Sequence, residues 1–125
     1  MNAIQTPNAP TPSGHYSQAM VHNGLVFVAG QLPIDPKDPK RPPGPIEEQT
    51  EQALRNVSAI LDAAGSALDR VLLLTIFVAD IAHWSAVNAT VAHVLGNHKP
   101  ARAVVPCGML NRGYQIEIVT IAALR

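Results

Sequence analysis

The chain has 125 residues, of which 47% are hydrophobic and only 14% charged, and its formal net charge is zero. That length suits one ordinary domain with its own core. The balanced charge, with no basic stripe, weighs against a nucleic-acid binder that relies on neutralising phosphates. The charged share is well below the usual quarter or so. Part of the surface is therefore expected to be hidden by self-association. The single cysteine, Cys107, excludes an intrachain disulfide and fits a reducing compartment. No apolar signal core is visible, and the run Val71 to Ala79 is too short to cross a bilayer. A cytoplasmic protein with no membrane partner is the expectation.

Residues 1–13 carry three prolines and no apolar period, so an ordered or semi-ordered arm is expected. Tyr16 to Val21 and Leu25 to Gly30 flank Asn23-Gly24, the pair that suits the two positive φ angles of a type I′ turn. These runs predict a hairpin. Six prolines between Pro33 and Pro45 predict a loop, since proline fits neither a helix interior nor a central strand. A helix follows, with Pro45 in its first turn and Glu47 and Glu48 at its positive end. Ala53, Leu54, Val57, Ile60, Leu61 and Ala64 form its apolar face, and Gly65 stops it.

Val71 to Ala79 predicts a buried strand. A second helix is expected from about His83 to Leu95, with Trp84, Val87 and Val91 turned inward. Two last strands are expected near Ala101–Val105 and Gln115–Ala123. The order β-β-α-β-α-β-β predicts an α+β domain, two helices on one face of a mixed sheet. The opposite face then has no cover of its own, so a second copy of the chain is the expected cover.

Arg102 and Glu117 stand alone in two apolar strand segments. Charges of this kind are rarely buried without a partner. Either they pair with each other, or both face a charged molecule that comes and goes. A guanidinium fork matches a carboxylate, and a glutamate beside it can handle a proton or a water. The five histidines show no zinc-like spacing, so no metal is expected. Cys107 has no His-Asp neighbourhood and is expected to be incidental.

Several segments taken together carry a resemblance. Ser13-Gly14-His15-Tyr16-Ser17-Gln18-Ala19, Val28-Ala29-Gly30-Gln31-Leu32-Pro33 and Leu61-Asp62-Ala63-Ala64-Gly65 match known motifs, as do Ala86-Val87-Asn88, Lys99-Pro100-Ala101-Arg102 and Ile116-Glu117-Ile118. The chain resembles, from about residue 7 onward, the Rid family of reactive intermediate deaminases, YjgF-like proteins also labelled L-PSP endoribonucleases. The resemblance implies one chorismate-mutase-like domain over residues 1–125, assembled as a homotrimer with clefts between subunits. It implies a hydrolase that needs no cofactor and converts 2-imino acids, formed from 2-aminoacrylate and related enamines, to 2-oxo acids and ammonia.

In that family pattern Arg102 binds the substrate carboxylate and Glu117 serves the water. Tyr16, Ala29, Gly30 and Asn88 fall at substrate-binding positions. Ala29 stands where serine is common, Ala103 where a hydroxyl is common, and Val119 where a second glutamate is usual. The lost hydroxyls predict a shift toward less polar or bulkier substrates. Two rivals share the scaffold: a non-catalytic small-carboxylate binder or regulator, and a hydrolase for a bulkier, pathway-specific enamine. A ribonuclease is disfavoured by zero net charge and the lack of a nucleophile–base motif.

Overall fold

A computed structural model describes residues 1–125. Six strands form one sheet: β1 (Asn2–Ile4), β2 (Ala19–His22), β3 (Leu25–Gln31), β4 (Val71–Val78), β5 (Ala101–Pro106) and β6 (Ile116–Ala123). Two helices, α1 (Ile46–Ala64) and α2 (Trp84–Leu95), complete the fold. The sheet order is β1-β2-β3-β6-β4-β5. Only the β4–β5 pair is parallel; all others are antiparallel. The mixed sheet follows from connection length, because α2 lies between β4 and β5 and lets the chain return in the same direction.

The expected α+β order is present, preceded by one extra short strand. Residues 1–13 are not wholly an arm, because Asn2–Ile4 pairs with β2. The rest of the arm is pinned by a buried amide. Gln18 accepts from the Thr6 N–H at 2.7 Å, and its Nε2 donates to Thr6 O and Pro10 O, each at 3.0 Å.

The core lies between the helices and one sheet face. Leu54, Val57, Ile60 and Leu61 of α1, with Val87 and Val91 of α2, meet Val26, Val28, Leu74, Ile76, Val78, Ile116 and Ile118. Burying each such side chain contributes roughly 1.5–3 kcal/mol. Gly65 ends α1 at φ +85°, and the Ser66 N–H reaches back to Leu61 O at 2.8 Å. That left-handed cap satisfies carbonyls the helix cannot.

The other sheet face is open. β4 is therefore not buried throughout: its residues alternate, and Leu72, set out by a register shift, is 49% exposed. Phe27 on β3 is 43% exposed on that open face. Trp84 also departs from the expected inward position, at 41% exposure. Its place at the first residue of α2 puts the indole over the sheet edge, where it meets Arg102 rather than the core. No helix is long and apolar enough to cross a membrane.

Two buried polar residues give opposite expectations. The Thr120 hydroxyl on β6 is buried with no hydrogen-bond partner, whereas Gln18 satisfies several backbone groups. Thr120→Val keeps the shape and removes an unpaired group, so thermal and urea unfolding should show unchanged or increased stability. Gln18→Ala strands buried backbone groups and should cost about 1–3 kcal/mol, with faster hydrogen exchange across residues 6–10.

Candidate functional site

The side-chain period of a strand is two, so neighbouring residues point to opposite faces of the sheet. Arg102 on β5 pairs in register with Leu74 on β4, and Leu74 pairs with Thr120 on β6. Leu74 and Thr120 are buried under the helices, so Arg102 belongs to the helix-side face. Glu117 pairs with Phe77, three positions further along β4, and so belongs to the open face. The two residues cannot form an internal ion pair within one chain. No carboxylate lies within 4.0 Å of the Arg102 guanidinium, and no cation within that distance of Glu117. That alternative is removed by register.

Arg102 is exposed at the sheet edge and held from the helix side. Its Nη1 donates to Asn88 Oδ1 on α2 at 2.7 Å, and its guanidinium lies 5.6 Å from the centroid of the Trp84 ring. Asn88 is thus a positioning partner of the arginine, and Trp84 supplies a cation–π platform of about 0.5–1 kcal/mol. The remaining N–H groups of the fork have no acceptor within the chain. Beside them a cavity of about 470 Å³ is lined by Asn88, Lys99 and Arg102 with Leu74, Val91 and Leu95.

Glu117 lines a different cavity, of about 300 Å³, with Tyr16, Gly30, Ser13, Asn111 and Arg112. The register between β3 and β6 slips between Val28 and Gln31, so an extra residue bulges out of β3 at Ala29-Gly30. Glu117 lies over that bulge. A Cβ on Gly30 would fall 2.9 Å from Glu117 Oε2 and 3.0 Å from its Cδ. Glycine here is a matter of space: any larger residue displaces the carboxylate. Burial raises the Glu117 pKa above the ordinary glutamate value, since the charged form loses hydration.

Tyr16 is exposed, its hydroxyl accepting from the Ser13 N–H at 3.2 Å. Ala29 flanks the cavity at the bulge; its N–H donates to Gln18 O at 2.9 Å and its carbonyl accepts from Gln31 Nε2 at 3.1 Å. The residues singled out from sequence therefore fall into two groups. Tyr16, Gly30 and Glu117 share one cavity, and Asn88 and Arg102 share the other. Sequence reasoning missed Trp84 as the arginine's platform and Arg112 as a second cation in the Glu117 cavity. An arginine in a loop carries no periodic signal, which is why Arg112 passed unnoticed. The Cys107 thiol is exposed on the loop after β5 and is part of neither cavity.

The molecule is an α+β domain with a one-sided helix layer and an open apolar face. The family model described as Endoribonuclease L-PSP matches residues 6–124. The chain is 43% identical over 119 residues to a RutC family protein of Pyrococcus horikoshii, covering 95% of this chain and 94% of that one. It is 38% identical to the 2-iminobutanoate/2-iminopropanoate deaminase of Capra hircus, covering 95% and 87%. The solved structure of Escherichia coli TdcF with bound serine superposes with a TM-score of 0.94 at 28% identity, covering 100% of each chain. The chain belongs to this YjgF-like Rid family.

The desolvated carboxylate sets a pH dependence. Between the ordinary glutamate pKa and the raised folded value, the folded state holds a proton that the unfolded state has lost. Stability therefore falls as pH rises through that window, and the full cost is present above it. Glu117→Gln never ionises. It should melt above the parent at about pH 8, the gap closing by about pH 4; a gap independent of pH would mean that ionisation is not its cause.

Proposed function

We propose that the chain is an imine deaminase whose site is assembled between copies of itself in a homotrimer, from Arg102 of one subunit and Glu117 of the next. The observation that carries this reading is register: anchor and carboxylate lie on opposite sheet faces, each open to solvent, so one chain alone cannot bring them to one molecule. The uncovered apolar face bearing Phe27 supports self-association. The deaminase name of a relative at 38% identity supports the reaction, and a relative holding serine supports a ligand with an amino-acid carboxylate.

In this reading the Arg102 fork binds the carboxylate of a 2-imino acid. Glu117, made more basic by burial, takes a proton from water as the water oxygen bonds to the imine carbon. The C=N π electrons move to nitrogen, which gains a proton. Collapse of the resulting carbinolamine breaks the C–N bond, forms the 2-oxo acid and releases ammonia, and the proton passes back through Glu117. Positioning and one acid–base group supply about a hundred- to ten-thousand-fold.

Two measurements test it. Ammonia and 2-oxo acid release from freshly generated 2-iminobutanoate should fall with both variants, through KM and affinity for Arg102→Ala and chiefly through kcat for Glu117→Gln. The two impaired variants, unfolded together in equal amounts, reassembled and assayed well below the KM of Arg102→Ala, should regain activity. Each site needs a sound arginine from one chain and a sound glutamate from its neighbour, so random mixing restores about a quarter of the parent rate. No recovery would place the whole site in one chain. Binding of 2-oxobutanoate without turnover of any imino acid would leave a carboxylate-binding protein instead.

A further inference from the structure

Arg112 is a second cation with no counter-ion, built into the wall of the Glu117 cavity. It lines that cavity with Tyr16, Gly30 and Asn111, and no carboxylate lies within 4.0 Å of it. Its guanidinium is fixed on two sides, donating from Nη2 to Pro39 O and lying 5.6 Å from the centroid of the buried Tyr114 ring. Its backbone is held at φ +60°, a left-handed conformation that a side-chain-bearing residue adopts at a cost, and Gly113 follows at φ +76°. The two positive angles make a tight turn, and the arginine ties that turn to the proline loop across the cavity.

A guanidinium pinned in this way has already lost much of the rotamer freedom that a flexible cation gives up on binding an anion. Its fork keeps N–H donors beyond the one spent on Pro39 O, and the cavity beside it, apolar along the prolines and Leu32, also carries Ser13, Tyr16 and Asn111 on its wall. Neither observation is needed for a monocarboxylic imino acid, whose one anionic group the proposed site assigns to Arg102. We infer that Arg112 is a specificity residue that selects a 2-imino acid bearing a second carboxylate on its side chain. This rests on the proposed deaminase reading and narrows its substrate class. Glu117 then works between two arginines, one anchoring the substrate's α-carboxylate and the other its distal carboxylate. A charged donor at the substrate's far end runs against the less polar substrates expected from the missing hydroxyl at Ala29, and selection of a dicarboxylate replaces that expectation.

The test is a ratio. The imino acids of glutamate and of 2-aminobutyrate are generated in place by an amino-acid oxidase, and kcat/KM is measured for each. The parent should favour the dicarboxylate. Arg112→Gln should lower that preference by about tenfold or more, mainly through KM, because the lost contact is a charge-assisted hydrogen bond. Arg112→Lys should restore part of it, and Arg112→Glu should reverse it. A preference unmoved by Arg112→Gln, or an equal loss on both substrates, overturns the inference while leaving the deaminase reading intact. If neither imino acid turns over, the deaminase reading fails. Calorimetric binding of 2-oxoglutarate against 2-oxobutanoate, parent against Arg112→Gln, then decides the second-carboxylate site on its own. Tighter binding of 2-oxoglutarate that Arg112→Gln abolishes sustains the site, and equal binding of the two acids removes it.

Discussion

The alternation of side chains across the sheet is the constraint on which the rest of the molecule depends. Arg102 and Glu117 are separated by an odd number of positions once the β6-β4-β5 register is followed, and an odd offset means opposite faces. A one-residue slip of β6 would place both on one face. That slip is forbidden by the core. It would also turn the buried Ile116 and Ile118 out to solvent, forfeiting roughly 1.5–3 kcal/mol for each. Hydrophobic register thus enforces the separation of the two charged groups as a by-product of burying the apolar ones.

A second layer of control lies in amide side chains that tie loops to the scaffold. Gln18 holds the arm, and Asn56 Nδ2 on α1 donates to Leu32 O and Ile34 O at 3.1 and 2.9 Å, fixing the start of the proline loop. Gln49 donates to Gly44 O at 2.7 Å and accepts from the Gln115 N–H at 2.8 Å, joining the end of that loop to the approach of β6. Loops carrying six prolines have few backbone N–H groups with which to bond one another. Buried amides supply the missing donors and acceptors, and a buried amide so satisfied is costly to remove. The arm, the proline loop and the turn at Arg112 make up most of the wall around Glu117, so these clamps define the cavity without touching anything bound there.

The helices and the hairpin were legible because their signals are local. The 3.6-residue period of α1, the Gly65 stop and the Asn23-Gly24 turn each require only neighbouring residues, and Asn23 and Gly24 do take φ values of +51° and +77°. The family resemblance was legible for the same reason, since its motifs are short. Strand β1 was hidden, because Asn2–Ile4 has no pattern of its own and is a strand only by pairing with β2. Trp84 was misplaced because helical periodicity does not report where the sheet ends beneath a helix. The separation of Arg102 from Glu117 was not legible either. It follows from β6 entering between β3 and β4, a long-range choice that fixes the register. Arg112 depends on a backbone twist and on a carbonyl 73 residues away, neither of which a reading along the chain can supply.

The open face and the chemistry are one problem. Glu117 is the carboxylate among apolar residues on a surface that water now wets, and its pKa is already raised by burial. The proposed cover of that face by a second copy would remove more water from the carboxylate and strengthen it as a base. If the same step brings a guanidinium close, its attraction for the carboxylate acts the other way and opposes the effect of desolvation. In the proposed assembly, a substrate carboxylate seated on Arg102 would neutralise that pull. Occupancy of the anchor would then restore the basicity of Glu117 at the moment a water must be activated, coupling binding to the competence of the base through charge alone.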